Sequence, residues 1–169
     1  MPIEWQYYPK SHRAPDSLLS LIQVFEAHEN EISSAAHTLL SNNVLAPLAP
    51  DLRGTGFRVE LGKKSADRIQ VPVLFGRNGK LEKYFEADAF HEETGTLLEI
   101  EAGRAVRNNQ FLKDFFQACV MYSVSYCAIA VRRLYRRNRD FEAVNTFFDA
   151  LYASGRPTLP LKGLMIIGY

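Results

Sequence analysis

The stretch Tyr84-Phe85-Glu86-Ala87-Asp88-Ala89-Phe90-His91-Glu92-Glu93-Thr94-Gly95-Thr96-Leu97-Leu98-Glu99-Ile100-Glu101-Ala102 decides the fold class. Tyr84 to His91 and Thr96 to Ala102 read as two β-strands joined by a four-residue loop, Glu92 to Gly95, whose closing glycine suits a tight turn. Strand alternation puts Glu86 and Asp88 on one face with Tyr84 and Phe90. It likewise puts Glu99 and Glu101 on one face, with Leu98 and Ile100 on the other. With His91 paired to Thr96, Asp88 lies opposite Glu99 and Glu86 opposite Glu101. A slip of one residue would send these carboxylates to different faces.

Working outward, Ile3 to Tyr8 reads as a short strand. Pro15-Asp16-Ser17 opens a helical stretch in which Leu18, Leu19, Ile22, Phe25, Ile32, Ala36, Leu39 and Leu40 recur at helical spacing, as one helix or as two broken near Asn30. Ala46-Pro47-Leu48-Ala49-Pro50 and Arg53-Gly54-Thr55-Gly56 read as a single loop. Phe57 to Leu61 and Ile69 to Phe75 read as strands, the second closed by Gly76-Arg77-Asn78-Gly79. After the hairpin come a helix over Val106 to Tyr122, a buried strand over Tyr126 to Leu134, a helix over Asp140 to Ala153 capped by Asp140, and a last strand over Leu164 to Ile167. An open mixed central sheet flanked by helices is the simplest α/β arrangement that buries them all, and 169 residues suit one domain, 1–169.

A composition of 47% hydrophobic and 23% charged residues excludes a disordered chain, a collagen and a disulfide scaffold. Met1-Pro2-Ile3-Glu4-Trp5 lacks the character of a signal peptide, and the most apolar stretch, Cys119 to Val131, is too short to span a bilayer. Cys119 and Cys127 lack CxxC spacing and read as buried thiols in a reducing cytoplasm. His12, His28, His37 and His91 show no metal-ligand spacing, and no phosphate-binding glycine loop or GxSxG motif is present. The net charge of +1 conceals a segregation: residues 81–101 carry −6, between +4 over residues 51–80 and +7 over residues 102–139.

Two carboxylates ~5 Å apart repel by roughly 3 kcal/mol at an effective dielectric of about 20. A cluster of three or four therefore either raises its pKa values or holds a cation. Oxygen ligands suit Mg²⁺ or Mn²⁺, which can polarise a phosphoryl oxygen for phosphodiester hydrolysis. A second Glu-x-Glu, Glu29-Asn30-Glu31, reads as solvated helix surface.

The run Phe85-Glu86-Ala87-Asp88 followed by Leu97-Leu98-Glu99-Ile100-Glu101 resembles the core motif of the PD-(D/E)XK nucleases, and the order of elements over residues 16 to 134 resembles theirs. The resemblance implies a restriction-endonuclease-like fold, with Asp88 and Glu99 as metal ligands and the Ile100 carbonyl as a third. Ala87 stands at the motif's proline position, and Glu101 at its lysine position. That gives an E-x-E variant similar to some type II restriction endonucleases, in which Glu101 or a lysine from elsewhere orients the attacking water. The resemblance also implies a homodimer, since one site cuts one strand of a duplex.

Lys113 is the nearest candidate for the displaced lysine. Asn109, Lys113 and Gln117 share one helix face, while Phe111, Phe115, Ala118 and Tyr122 occupy another. The competing reading is an exposed lysine paired with Asp114 or water. Arg132, Arg133, Arg136, Arg137 and Arg139 put five arginines within eight residues, the footprint of a phosphate-binding surface or of a solvated loop. Arg104 and Arg107 are placed to bind the scissile phosphate or to neutralise the acids. Arg58, Lys63, Lys64 and Arg68 extend the basic surface, and Tyr7, Tyr8, Phe111, Phe115 and Phe116 are expected in the core. The leading expectation is a Mg²⁺- or Mn²⁺-dependent DNA endonuclease. The alternatives are a catalytically inert DNA-binding or assembly module on the same fold, and a structural protein with an acidic surface hairpin.

Overall fold

The structure, a computed structural model, describes residues 2–62 and 68–169. Lys63 and Lys64 lie outside the described residues. The chain forms an α/β fold: a six-stranded mixed sheet flanked by helices on both faces, with a separate two-stranded ribbon. In chain order the elements are β1 (Glu4–Tyr8), α1 (Asp16–Ala27), α2 (Glu29–Ile32), α3 (Ser41–Gly54), β2 (Arg58–Val59), β3 (Ile69–Phe75), β4 (Leu81–Ala87), β5 (Ala89–His91), β6 (Thr96–Glu101), α4 (Gln110–Val120), β7 (Tyr126–Val131), α5 (Asp140–Ser154) and β8 (Gly163–Gly168).

The central sheet runs β1-β8-β7-β6-β5-β2. The pairs β6–β7 and β7–β8 are parallel, and the outer pairs are antiparallel. The three parallel strands are buried on both faces, as their apolar sequences require. Leu98 and Ile100 of β6 pack with α1 and α3, whereas Leu97 faces the opposite side with α4 and α5. Alternation therefore sends Glu99 and Glu101 to the α4 side.

Three sequence expectations fail here. Ala46-Pro47-Leu48-Ala49-Pro50, read as one loop with Arg53-Gly54-Thr55-Gly56, lies within α3, which contains Pro47 and Pro50 and ends at Gly54; Thr55 and Gly56 follow it. Each interior proline costs about 3 kcal/mol. Val44, Leu45, Leu48, Ala49 and Leu52 form a buried stripe on that helix. Burying the four larger ones at roughly 1.5–3 kcal/mol each outweighs the two prolines. Residues 34–40, expected to continue the preceding helix, are not helical. Finally, Tyr84 to His91 is not one strand: the chain leaves the ribbon at Asp88, so β4 pairs with β3 and β5 pairs with β6.

Smaller differences are boundaries. The Phe57–Leu61 strand shrinks to β2, and Leu61 is exposed. Residues 106–109 precede α4 rather than starting it, and Asn109 adopts a left-handed conformation. Asp140 opens α5 without a side-chain cap, is buried, and feels the charge of Arg132. Tyr7, Tyr8, Phe111 and Phe115 are in the core as expected, but Phe116 and Tyr122 are exposed.

Candidate functional site

The hairpin register is the expected one at its turn, with His91 opposite Thr96 and Ala89 opposite Leu98. Gly95 closes it at φ +64°, where an added Cβ would lie 2.6 Å from the Ser123 carbonyl. Continued by one residue, this register brings Asp88 beside Glu99. The ladder itself stops, and the Asp88 side chain takes over: the Ile100 N–H donates to its Oδ2 at 2.7 Å. The Asp88 carbonyl in turn accepts the Glu60 N–H at 2.8 Å. Within an extended strand a residue's N–H and carbonyl point to the same edge, so the Ile100 carbonyl shares the edge that Asp88 occupies. Glu86 does not lie opposite Glu101. It pairs with Gln70 in the ribbon and forms an ion pair with Arg68.

The acids crowd one another. Burial pushes the Asp88 carboxyl up to about 7, helped by Glu60 and Asp114, while the Ile100 N–H and Lys113 oppose the shift. Glu99 is held well above the ordinary carboxylate range by burial and then by Asp88, Asp114 and Glu101. Glu101 is pushed up to about 8 by burial, Asp114 and Asp88. Asp114 is itself raised by burial, with Glu101 and Lys113 opposing. Lys113 is exposed, yet its ammonium lies 3.5 Å from Asp114 Oδ1 and favours ionisation of all four acids.

Asp114 and Glu60 belong to this cluster and were not among the expected site residues. Asp114 is 3% exposed, and its Oδ2 is buried without a hydrogen-bond partner among the described residues. Its signal was present in the sequence: positions 111, 114, 115 and 118 form a helical core stripe, and a carboxylate in that stripe is out of place. Glu60 gave no local signal, because its proximity depends on β2 pairing with β5 thirty residues away.

The arginines divide. Arg132 is buried, donates to the Leu39 carbonyl and packs 5.1 Å from the Tyr135 ring. Arg133 forms an ion pair with Glu4 and donates to the Pro2 carbonyl at 2.6 Å. Both guanidiniums are engaged in contacts within the fold. Arg136 and Arg137 are exposed in the tight turn that Tyr135 and Asn138 close with reciprocal 2.9 Å backbone hydrogen bonds. Gly103, at φ +88°, lies so close to Tyr135 that a Cβ there would sit 2.5 Å from its ring. The loop bearing Arg104 and Arg107, both exposed, therefore leans on the turn bearing Arg136. Both loops leave the carboxyl ends of parallel strands, where open α/β sheets bind ligands.

As the side chains stand, no three Asp, Glu, His or Cys groups among the described residues converge tightly enough to hold a metal ion. No helix among the described residues is long and apolar enough to cross a membrane. No protein-family model and no curated protein matches the chain.

Proposed function

We propose that this chain is a divalent-metal-dependent DNA endonuclease with a restriction-endonuclease-like fold. The observation that carries the proposal is the crowding of Asp88, Glu99 and Glu101 against buried Asp114 beside the Lys113 ammonium, at the carboxyl end of β6. Evolutionarily neutral packing would place apolar groups there, because unpaired buried carboxylates cost stability. The donor set fits a hard cation in kind: every candidate ligand is oxygen, and Asp114 Oδ2 is buried without a hydrogen-bond partner among the described residues. Asp88, Glu99 and the Ile100 carbonyl would hold Mg²⁺ or Mn²⁺, and the acidic side chains would have to move to close the shell, since no three acids converge on a metal site among the described residues. The ion's chemistry there would be to polarise a phosphoryl oxygen and acidify water.

The chain's own groups supply the rest. Glu101, pushed up to about 8, can accept a proton from the attacking water in its ionised form, so this role strengthens as pH rises through 8. Lys113 can stabilise charge on the phosphate from its place at the cluster's rim. Arg104, Arg107, Arg136 and Arg137 would hold flanking phosphates, and cutting both strands would take a homodimer.

The second reading, an inert DNA-binding or assembly module, is favoured by the lack of three converged ligands among the described residues. It needs no side-chain movement, whereas the nuclease does. One experiment separates them: pure protein incubated with supercoiled plasmid and Mg²⁺ or Mn²⁺. The nuclease predicts nicking or linearisation that EDTA stops. A mobility shift without cleavage assigns the chain to the second reading.

A further inference from the structure

The acid cluster lies where the pairing of β6 runs out. β5 leaves β6 after the Ala89–Leu98 pair, and β7 leaves it after the Glu101–Val131 pair. Strand ends fray where the rungs stop. Side chains take over the holding of this backbone. On the β5 edge Asp88 does so, through the Ile100 N–H at 2.7 Å. At the last residue Tyr169 does so: its hydroxyl donates to the Glu101 carbonyl at 3.1 Å. Tyr169 packs with Ile100 on the α1–α3 face, so it reaches Glu101 from the side opposite the carboxylate.

Tyr169 is 1% exposed and is itself firmly anchored. Its N–H donates to the Val131 carbonyl at 3.1 Å, and its carbonyl accepts the Arg133 N–H at 2.9 Å and the Ser34 hydroxyl. Burial pushes the phenol up, with the Arg132 guanidinium opposing, so it stays protonated and able to donate. Arg132 links it to a second support, since the guanidinium lies 5.1 Å from the Tyr135 ring. That ring backs Gly103, two residues beyond Glu101. The strand end is thus held at Glu101 by one ring and at Gly103 by another, with a buried arginine between them. We propose that Tyr169, backed by Arg132, is a positioning residue for the acid cluster. Its hydroxyl pins the end of β6 so that Glu99 and Glu101 keep their place against Asp88. Its effect on cleavage rests on the nuclease reading; its hold on the strand does not.

Tyr169→Phe tests it, since it keeps the ring and deletes only the hydroxyl. Tyr8→Phe is the matched control: it deletes a buried phenol that donates to Asp149 at 2.8 Å, on β1, with β8 and β7 between it and β6. Amide exchange of the metal-free full chain is read by NMR. In Tyr169→Phe, exchange at Ile100 and Gly103 should quicken about tenfold beyond any change at Ile129, and in Tyr8→Phe it should not. Single-turnover plasmid cleavage at saturating Mg²⁺ should fall about tenfold in Tyr169→Phe alone, with DNA affinity kept within about twofold. Exchange at Ile100 that merely tracks Ile129, or that quickens equally in Tyr8→Phe, would overturn the proposal. So would a Tyr169→Phe chain that loosens at Ile100 yet cleaves like the parent. A parent that cuts nothing fells the nuclease reading and leaves the hold on β6 to be decided by exchange alone.

Discussion

The carboxyl end of β6 and the Tyr135 turn carry opposite charges and show opposite relations between density and role. The turn region holds five arginines within eight residues. Yet Arg132 and Arg133 spend their guanidiniums on Leu39, Glu4 and Pro2. The acidic region reads as a bare Glu-x-Glu, but the sheet gathers Asp88, Glu99, Glu101 and Asp114 from three elements into one cluster. Charge density along the chain is a poor guide to charge density in space. What decides is whether neighbouring elements turn like charges toward each other or supply each with its own partner.

If that contrast is functional, the largest effect belongs to the acids. Asp88→Asn and Glu99→Gln are each expected to lower single-turnover cleavage on the order of 10³-fold at saturating Mg²⁺, the loss seen when a group stabilising transition-state charge is removed. Quench-flow with labelled duplex measures it, and cleavage within tenfold of the parent would place the chemistry elsewhere. Lys113→Met and Glu101→Gln come next, at roughly 10²-fold. Loss only in the first assigns the missing lysine to α4, and loss only in the second assigns the water to Glu101. Full activity in both removes each from the mechanism.

The arginines sharpen the comparison by failing in different ways. Arg132→Ala should destabilise the protein by about 1–3 kcal/mol, because it removes a buried guanidinium and strands the Leu39 carbonyl. Arg136→Ala/Arg137→Ala should leave melting unchanged but reduce the slope of log K against log salt by about 2 for DNA of any sequence. Fluorescence anisotropy between 50 and 200 mM salt decides. A double variant that overlays the parent assigns those two arginines to solubility.

A further effect is on stability without metal. Asp88 titrates near 7 and Glu101 near 8 in the folded chain, well above unfolded values of 3.8 and 4.5. As pH rises from 4 to 8, the unfolded chain releases these protons first. Folded stability therefore falls over that window and levels off above it. In EDTA the melting temperature should drop from pH 5 to pH 8. Glu99→Gln should recover on the order of 2 kcal/mol at pH 8, since it relieves the crowding. A melting temperature that rises with pH would mean that the acids are paired rather than crowded.

Much of this was legible in the sequence. The parallel core strands declared themselves as apolar runs, β3 was read residue for residue, and Gly95 set the hairpin register that aligns Asp88 with Glu99. Three features were misread. Proline content argued against α3, and only its buried stripe against the sheet reverses that. Alternation through Asp88 failed because the chain changes sheets there, carrying Glu86 away. Asp114 was hidden by its neighbours: a helix face named for its phenylalanines also held the carboxylate between them.

The central claim is that this acid cluster exists to hold a divalent cation. Calorimetric titration of Mn²⁺ into the metal-free chain at pH 7.5, with Glu99→Gln beside it, tests that directly. The account predicts saturable binding in the parent and none measurable in the variant, with both folded by circular dichroism. No binding in the parent, or the same affinity in both proteins, would contradict it.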